Sequence, residues 1–501
     1  MLCFLLQFIG FLSVMMFPRE YSKVMLKNPQ NQLQSSEIRM TELRLNGITL
    51  EGISSDGIDD LYLETLNDKE YMMYSRQSAK LHTYNSQREY IDSFYSFQRK
   101  LLGVKDTQKN TLVGTVSYIL DFNESSIRLG FLIFRNYAGE GYATKSLNIL
   151  LPYLEKQFPG MNIIIGTHKD NFAMQRIAIK HNFQLQQNLN DEKNSTVEFV
   201  RKAPSLESSS ISFIPDFVRE ARSIGIVAND AGGAEQISWL LRELSQPIFA
   251  HLNGPAKAVF ERNQTKFSPV KEVERVMDCD LLITGSGWMS EIELSAIHLA
   301  RMRGTPCLTI LDHWVNYRER FQRFGQSEVR PQMIGVTNSF ALEKAQEVFS
   351  KNPIWLIPDF QLKHYQSAID PSVSGPNNIL VLLEPSAIQD SRLHSENNPT
   401  EELINKSINF KREGQFDRVI IRLHPAQAST SWLGFDPSLF ANEIELSDKR
   451  SLLDDLLRSK AVIGISSYAL YIAAMCGKET YSCSRRVEGH WTDNFPLIHK
   501  L

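Results

Sequence analysis

The sequence predicts an α/β protein: one mixed domain followed by a two-lobed, doubly wound parallel domain. Three observations predict it. Apolar runs of strand length alternate with helical patterns along most of the chain, the order expected of sheets covered by helices. Residues 126–150, SIRLGFLIFRNYAGEGYATKSLNIL, pass from period-2 alternation to helical spacing through a turn of small residues. The pattern breaks at KAPSLESSSISFIPDF, rich in Ser and Pro, and the alternation starts afresh beyond it. The segments implied are a leader and spacer at 1–38, a first domain at 39–202, a linker at 203–217, and two lobes at 218–358 and 359–501.

Composition narrows the function. Of the 501 residues 42% are hydrophobic and 22% charged, the balance of an ordinary globular protein. A net charge of −3 leaves no basic footprint, so no nucleic-acid partner is expected. Cys3, Cys279, Cys307, Cys476 and Cys483 form no C-x-x-C pair. Neither a disulfide framework nor a zinc ribbon is indicated, no metal is expected, and the compartment expected is reducing.

Residues 1–17, MLCFLLQFIGFLSVMMF, carry no charge and come near the length that spans a bilayer. No basic region precedes them and no small-residue cleavage site follows, which argues against a secretory signal. With Arg19, Lys23 and Lys27 behind it, a spanning segment would leave the remainder in the cytoplasm, held at the inner membrane. A start at Met25 or Met40 would remove the segment. A cytoplasmic location is expected either way. Residues 25–39 read as a disordered spacer.

In the first domain, TELRLNGITLEGI (41–53) reads as a strand pair. Two helices around a polar turn follow, with Asp56, Asp59 and Asp60 placed to cap N–H groups. Tyr71, Met72, Met73 and Tyr74 read as helix core or as the wall of an acceptor pocket. A strand with Gly114 comes next. Then Ile127, Leu129, Phe131 and Ile133 alternate with Arg128, Gly130 and Leu132. Ala138, Gly139, Gly141 and Ala143 let backbone approach a ligand closely, the glycines tolerating positive φ. From Thr144 a helix is expected, its face made by Leu147, Leu150, Leu151 and Leu154. Free N–H groups and the dipole at such a helix start form an anion site. A strand at 161–166, Asn171 and the helix AMQRIAIKHNF complete the domain.

On these motifs residues 40–200 resemble the GNAT acyltransferase superfamily, whose turn, roughly Arg/Gln-x-x-Gly-x-Gly/Ala, holds the pyrophosphate of acetyl-CoA. Ala138 stands where Arg or Gln belongs; Gly141 and Ala143 match. The resemblance implies acetyl-CoA as cofactor, bound by Ile133, Ala138, Gly139, Glu140, Gly141, Tyr142 and Ala143, with Asn171 on the pantetheine arm. It also implies acetyl transfer to an amine that loses a proton as it attacks the thioester. The segment LNDKEYMMYSRQ resembles members that acetylate amino sugars or protein N-termini. Many members use a Glu on the strand before the turn and a Tyr on the last helix. This chain has Arg128 and Gly130 on the strand and Ala178 on the helix, so His168 is the local candidate for proton transfer.

Beyond the break, SIGIVAND (223–230) reads as a strand and AGGAEQISWLLREL as a Gly-Gly turn into a helix. Gly232 and Gly233 thus lie at a strand's carboxyl end, where open α/β sheets bind ligands. QPIFAHL, CDLLITGSG, TPCLTILDHW and PQMIGV read as further strands, each followed by a turn or helix. Pro353 and Pro358 mark the second lobe, with strands NNILVLLEPS and FDRVIIRLHP and a helix beginning at Ser466-Ser467. Asp230, Glu291, Asp312, His313 and His424-Pro425 also fall near strand ends. A histidine, hydroxyls and helix N–H groups together suit a phosphate.

Two α/β lobes in tandem resemble the GT-B architecture of nucleotide-sugar enzymes. His424-Pro425 followed by Ser466-Ser467 resembles bacterial CMP-sialic-acid transferases and CDP-glycerol-type transferases, in which both motifs hold the nucleotide's phosphate. The sialyltransferases carry an acidic-acidic-Gly base motif; here Asn229-Asp230-Ala231-Gly232 stands instead, with Asp230 as base and Asp312 and His313 as further catalytic candidates. Together the resemblances imply a fusion. An N-acetyltransferase acting on an amino sugar is joined to a glycosyltransferase that uses a nucleotide-activated sugar for surface polysaccharide. Two alternatives stand beside it. One pairs the acetyltransferase with a UDP-sugar hydrolase of a nonulosonic-acid pathway, a family with a His in the first glycine turn that NDAGGAEQ lacks. The other is a non-catalytic protein that binds acetyl-CoA and a nucleotide.

Overall fold

A computed structural model of the protein describes residues 42–501, apart from 46, 76, 95–97, 187–194, 204–211, 288–289, 323–328, 330, 371–374, 385–398, 425–442, 448–449 and 484–489. The expected leader and Pro425 lie outside the described residues. Among the described residues no helix is long and apolar enough to cross a membrane.

The first sheet holds β1 (Leu43–Leu45), β2 (Ile48–Gly52), β3 (Arg99–Asp106), β4 (Thr111–Asp121), β5 (Ser126–Ile133), β6 (Asn162–His168), β7 (Gln184–Gln186) and β8 (Thr196–Arg201). Their order is β1-β2-β3-β4-β5-β6-β8-β7. Four helices accompany them: α1 (Asp60–Asn67), α2 (Tyr84–Asp92), α3 (Tyr142–Gln157) and α4 (Phe172–Lys180). Local chemistry sets their ends. Asp59 accepts the N–H of Tyr62 at 2.8 Å, and Thr83 with Ser86 makes a capping box at α2. On α3, Leu147, Leu150 and Leu154 are fully buried, as their spacing predicts. Of the two readings of Tyr71–Tyr74, the helical one is not met. They lie in turns after α1 rather than in a helix.

One seam in this sheet matters for function. The parallel pair β5–β6 is in register only from Ser126↔Asn162 to Leu129↔Ile165. Beyond that, Gly130–Ile133 stay with β4 and Gly166–His168 stay with β8, so the two strands part.

The second sheet is parallel throughout. Its strands are β9 (Ile224–Ala228), β10 (Ile248–Leu252), β11 (Ser268–Pro269), β12 (Leu281–Thr284), β13 (Cys307–Ile310), β14 (Met333–Val336) and β15 (Ile354–Leu356), in the order β11-β10-β9-β12-β13-β14-β15. Helix α5 (Asp216–Glu220) precedes it, and α6 (Ala231–Leu241), α7 (Ala256–Arg262), α8 (Val273–Val276), α9 (Ile292–Arg303) and α10 (Ser339–Val348) connect its strands. The third sheet, also parallel, follows α11 (Phe360–Ala368). It comprises β16 (Asn378–Leu382), β17 (Arg418–Arg422), β18 (Ile444–Leu446), β19 (Ala461–Gly464), β20 (Glu479–Ser482) and β21 (Ile498–Lys500), in the order β18-β17-β16-β19-β20-β21. Its helices are α12 (Pro399–Arg412), α13 (Leu452–Leu457) and α14 (Tyr468–Met475). The fully apolar strands are those of sheets covered on both faces. One apolar core runs through both parallel sheets. Trp314 lies in it with its ring 4.7 Å from Trp491 and 5.2 Å from Phe495.

Of the expected linker, residues 204–211 lie outside the described residues, and its end is packed rather than free. Residues 213–220 are packed between the first and second sheets. Phe217 is buried against Phe158 and Trp355, at 6.0 and 5.1 Å between ring centroids. Trp355 Nε1 donates to Gln157 O at 2.7 Å, and Gln157 Oε1 accepts the N–H of Asp216 at 3.0 Å. Lys100 and Glu220 form an ion pair at 2.7 Å with both side chains largely buried. Sequence composition hid this because the Phe and Ile that do the packing sit among Ser and Pro. Phe217→Ala should therefore cost about 3 kcal/mol, the usual loss for a buried aromatic. Denaturant unfolding read by Trp fluorescence checks it; a midpoint unchanged from the parent would show that the halves are not held together here.

Candidate functional site

The turn between β5 and α3 presents open backbone in the first domain. A single 3-10 turn, Arg135–Tyr137, ends β5. Gly139 and Gly141 then take φ +84° and +82°, values that L side chains rarely adopt. A Cβ on either would meet nothing within 4 Å, so the space above both is empty. Gly141 is the N-cap of α3 and brings no side-chain cap. Among the described residues no protein acceptor is found for the N–H groups of Gly139, Gly141, Tyr142, Ala143 and Thr144. Those of Ala138 and Glu140 differ: they donate to Arg135 O (3.1 Å) and Tyr137 O (3.4 Å).

Side chains hold this cradle in place from behind. The buried Tyr142 donates to Asp106 Oδ2 at 2.6 Å, fastening the helix start to the β3–β4 hairpin. Asp106 also accepts the N–H groups of Lys109 and Gln108 at 2.8 Å, which with the Tyr142 bond holds its carboxyl below the usual range. Glu140 is paired with Lys109 at 2.9 Å. Tyr142 thus offers a ligand its N–H, not its phenol.

The parted seam lies beside the cradle. Phe134 N–H donates to Val113 O at 2.9 Å, so the alternation of an antiparallel ladder turns the N–H groups of Ile133 and Phe131 toward the seam. Ile133 O accepts from Tyr71 OH at 2.8 Å. His168 ends β6, its ring 5.3 Å from that of Tyr74. Its Nδ1 accepts the N–H of Asp170 at 3.2 Å and lies 3.5 Å from the Asp170 carboxylate. In the neutral ring this leaves the proton on Nε2, so a proton leaving an amine would first have to displace the Asp170 contact. Asn171 Oδ1 caps α4 by accepting the N–H of Met174 at 3.2 Å, leaving its Nδ2 to a ligand. Ala178 is fully buried, and no phenol stands there.

Residues 48–184 match the family model of the acetyltransferase (GNAT) domain. These residues form a GNAT acetyltransferase domain. Solved structures similar to this chain include a ribosomal L7/L12 alpha-N-protein acetyltransferase in complex with coenzyme A, at 13% identity and TM-score 0.29, covering 32% of this chain and 98% of that one. A microcin C7 self-immunity acetyltransferase in complex with acetyl-CoA and AMP is 18% identical, with TM-score 0.28 over 32% of this chain and 93% of that one. A spermidine N-acetyltransferase from Vibrio cholerae in complex with CoA and spermine is 16% identical, with TM-score 0.27 over 31% and 96%. No curated protein matches the chain.

Beyond the acetyltransferase domain, the sequence-predicted residues gather at the carboxyl ends of β9, β12, β13, β17 and β19. Their surroundings differ from expectation. Asp230 accepts from Asn229 Nδ2 at 2.6 Å, and Asp312 pairs with Arg320 at 2.6 Å. The space beside the Gly232–Gly233 turn is filled by protein. A Cβ on Gly232 would lie 1.9 Å from Asp312 Oδ2, and one on Gly233 would lie 3.1 Å from Gly285 Cα. These glycines admit the chain's own carboxylate and backbone where a nucleotide phosphate was expected. Glu291 is exposed; the carboxylate that enters the cluster is Glu293. Glu293 accepts the N–H groups of Asn229 (3.1 Å) and Gly287 (2.6 Å). Burial, then the charge of Asp230, pushes its pKa up to about 8. Helical spacing was the signal: Glu293, Ile297 and Ala300 share one buried face of α9.

Ser466 is tied on three sides. Its N–H donates to Glu384, its O accepts from His313 Nε2 at 3.1 Å, and its Oγ accepts from Trp491 Nε1 at 2.9 Å. Ser467 caps α14. The anion place expected at Ser466-Ser467 is therefore held by a carboxylate of the chain, Glu384, whose pKa burial pushes up to about 7. His313 Nδ1 accepts the N–H of Trp314 at 3.0 Å, which makes this ring a neutral donor through Nε2. Burial pushes His313 and His424 down to about 4, Arg320 and Arg422 adding to the effect. Among the described residues no group of His, Cys, Asp or Glu is placed to hold a metal.

These shifts set a pH dependence. Glu293 keeps its proton in the fold from its ordinary value of 4.5 up to about 8, so stability falls as pH rises through that window. The two histidines act oppositely, but only between about 4 and their ordinary 6.5. From pH 6.5 to 8 the carboxyls alone remain, at no more than about 1.4 kcal/mol per pH unit for each group. The melting temperature should drop across that interval, and Glu293→Gln should flatten most of the drop. Scanning calorimetry of both proteins decides it; parallel curves would refute the buried proton.

Proposed function

We propose that the first domain is an acetyl-CoA-dependent N-acetyltransferase. The observation that carries this reading is that, among the described residues, the N–H groups of Gly139, Gly141, Tyr142, Ala143 and Thr144 have no protein acceptor, at a helix start beneath open space. That geometry suits the paired phosphates of the coenzyme. The parted seam suits an extended arm, with the N–H groups of Phe131 and Ile133 along one side and Asn171 Nδ2 near the other. Acetyl-CoA supplies a thioester to be attacked by an amine. The chain's part is to orient the two and to receive the amine's proton, for which His168 at the end of β6 is the group proposed. An amino sugar is the acceptor class proposed, and a cytoplasmic location goes with the coenzyme. Gly141→Asp adds bulk at a positive φ and a negative charge in the cradle. It should weaken acetyl-CoA binding at least a hundredfold in calorimetric titration, and unchanged affinity would sink the assignment.

A second reading concerns the parallel sheets: a GT-B-like, nucleotide-sugar-dependent glycosyltransferase. It is favoured by the hydrogen bond from His313 Nε2, beyond β13, to Ser466 O, beyond β19, at 3.1 Å, which joins the carboxyl ends of strands from both sheets. A nucleotide phosphate arriving at Ser466-Ser467 has to displace Glu384. His424→Ala should weaken cytidine-nucleotide binding about tenfold and leave acetyl transfer intact. Equal nucleotide affinity in the two proteins would remove the support for this reading.

A further inference from the structure

The junction of the acetyltransferase domain with the second sheet carries two adjoining hollows of about 450 Å³ each. Glu243, Phe360 and Lys363 line both, so they make one trough. Its walls come from the end of α3 (Lys156, Gln157), the packed segment before and within α5 (Phe213, Arg219), the end of α6 (Trp239, Arg242) and α11. Hollows of this volume at domain junctions are the usual places for small ligands.

The lining is charged in a particular way. Four cations face the trough: Lys156, Arg219, Arg242 and Lys363. Among the described residues none of the four pairs with a carboxylate within 4.0 Å. Three lie over aromatic rings of the same walls: Arg242 4.6 Å from Trp239, Lys363 5.4 Å from Phe360, and Lys156 6.0 Å from Phe213. Ring contacts of this kind hold a cation in position without neutralising it. Two carboxylates share the lining, Asp216 and Glu243. Asp216 is engaged by Tyr153 OH at 3.4 Å. His364, stacked on Trp239 at 4.4 Å, is held below its ordinary pKa by burial and by Arg242, so it adds no charge near neutral pH. The trough is thus net positive in a chain whose net charge is −3. A concave surface of one sign concentrates ions of the other.

We propose that this trough binds a small molecule with two or more negative charges, carried on phosphate or carboxylate groups. Such a ligand would touch both halves of the chain. It would also touch the last turn of α3, the helix whose first turn carries the coenzyme cradle. The inference is independent of the acetyltransferase reading.

The test uses the full chain with Gly141→Asp in the background, so that the cradle cannot account for anion binding. Inorganic pyrophosphate and citrate serve as probes in calorimetric titration. Either should bind with one-to-one stoichiometry, more weakly as salt is added. A preference for pyrophosphate would assign a phosphate ligand, a preference for citrate a carboxylate one. Adding Arg242→Glu and Lys363→Glu should weaken binding at least tenfold, while Lys344→Glu, on a cation paired elsewhere with Glu347, should not. Should the charge-reversed protein fail to fold, Arg242→Gln with Lys363→Gln should still cost about threefold. No binding in the Gly141→Asp background, or equal affinity after charge reversal, overturns the proposal.

Discussion

The parting of β5 from β6 is the constraint on which the first domain depends. Two parallel strands that stop pairing leave backbone groups without partners, and such groups need other partners or water. Tyr71 OH takes the carbonyl of Ile133, while the register turns the neighbouring N–H groups into the gap. The same departure frees β5 to end in a 3-10 turn and two left-handed glycines. The cradle of amides is therefore a consequence of how the sheet is paired. Tyr142, fastened to Asp106, keeps the cradle from shifting on its helix.

Helix α3 connects this site to the rest of the molecule. Its 16 residues span about 24 Å, from Tyr142 at the cradle to Gln157 at the junction. At the far end Gln157 is bonded on its carbonyl by Trp355 and on its side chain by Asp216. Phe217 fills the space between Phe158 and Trp355. The two halves meet as packed surfaces with a buried ion pair, and the charged trough opens at the edge of that contact.

Similar local sequences have opposite outcomes in the two halves. Gly139 and Gly141 face empty space, whereas Gly232 faces Asp312 and Gly285 faces Glu293. In both cases glycine is present because something must come close to backbone. In the first half, among the described residues, no side chain comes to that place and backbone N–H groups of the helix start border it. In the second it is filled by carboxylates of the chain, held by backbone N–H groups and Arg320. Ser466 repeats the lesson, since Glu384 already occupies the N–H group that a phosphate would use.

Much was legible in the residues themselves. The alternation of strand and helix patterns, the glycine turn before α3, the buried leucines of that helix and the strand ends bearing Asp230, Asp312 and His424 all follow from local periodicity and backbone preference. Those depend on neighbours within a few positions, which a sequence displays. What approaches a glycine or a helix start does not. Asp312 reaches Gly232, Glu384 reaches Ser466 and Tyr71 reaches Ile133 across gaps of roughly 60 to 80 residues. Whether a small-residue turn is an open anion site or one already filled was decided only when the tertiary fold brought a distant side chain to it, or left it bare.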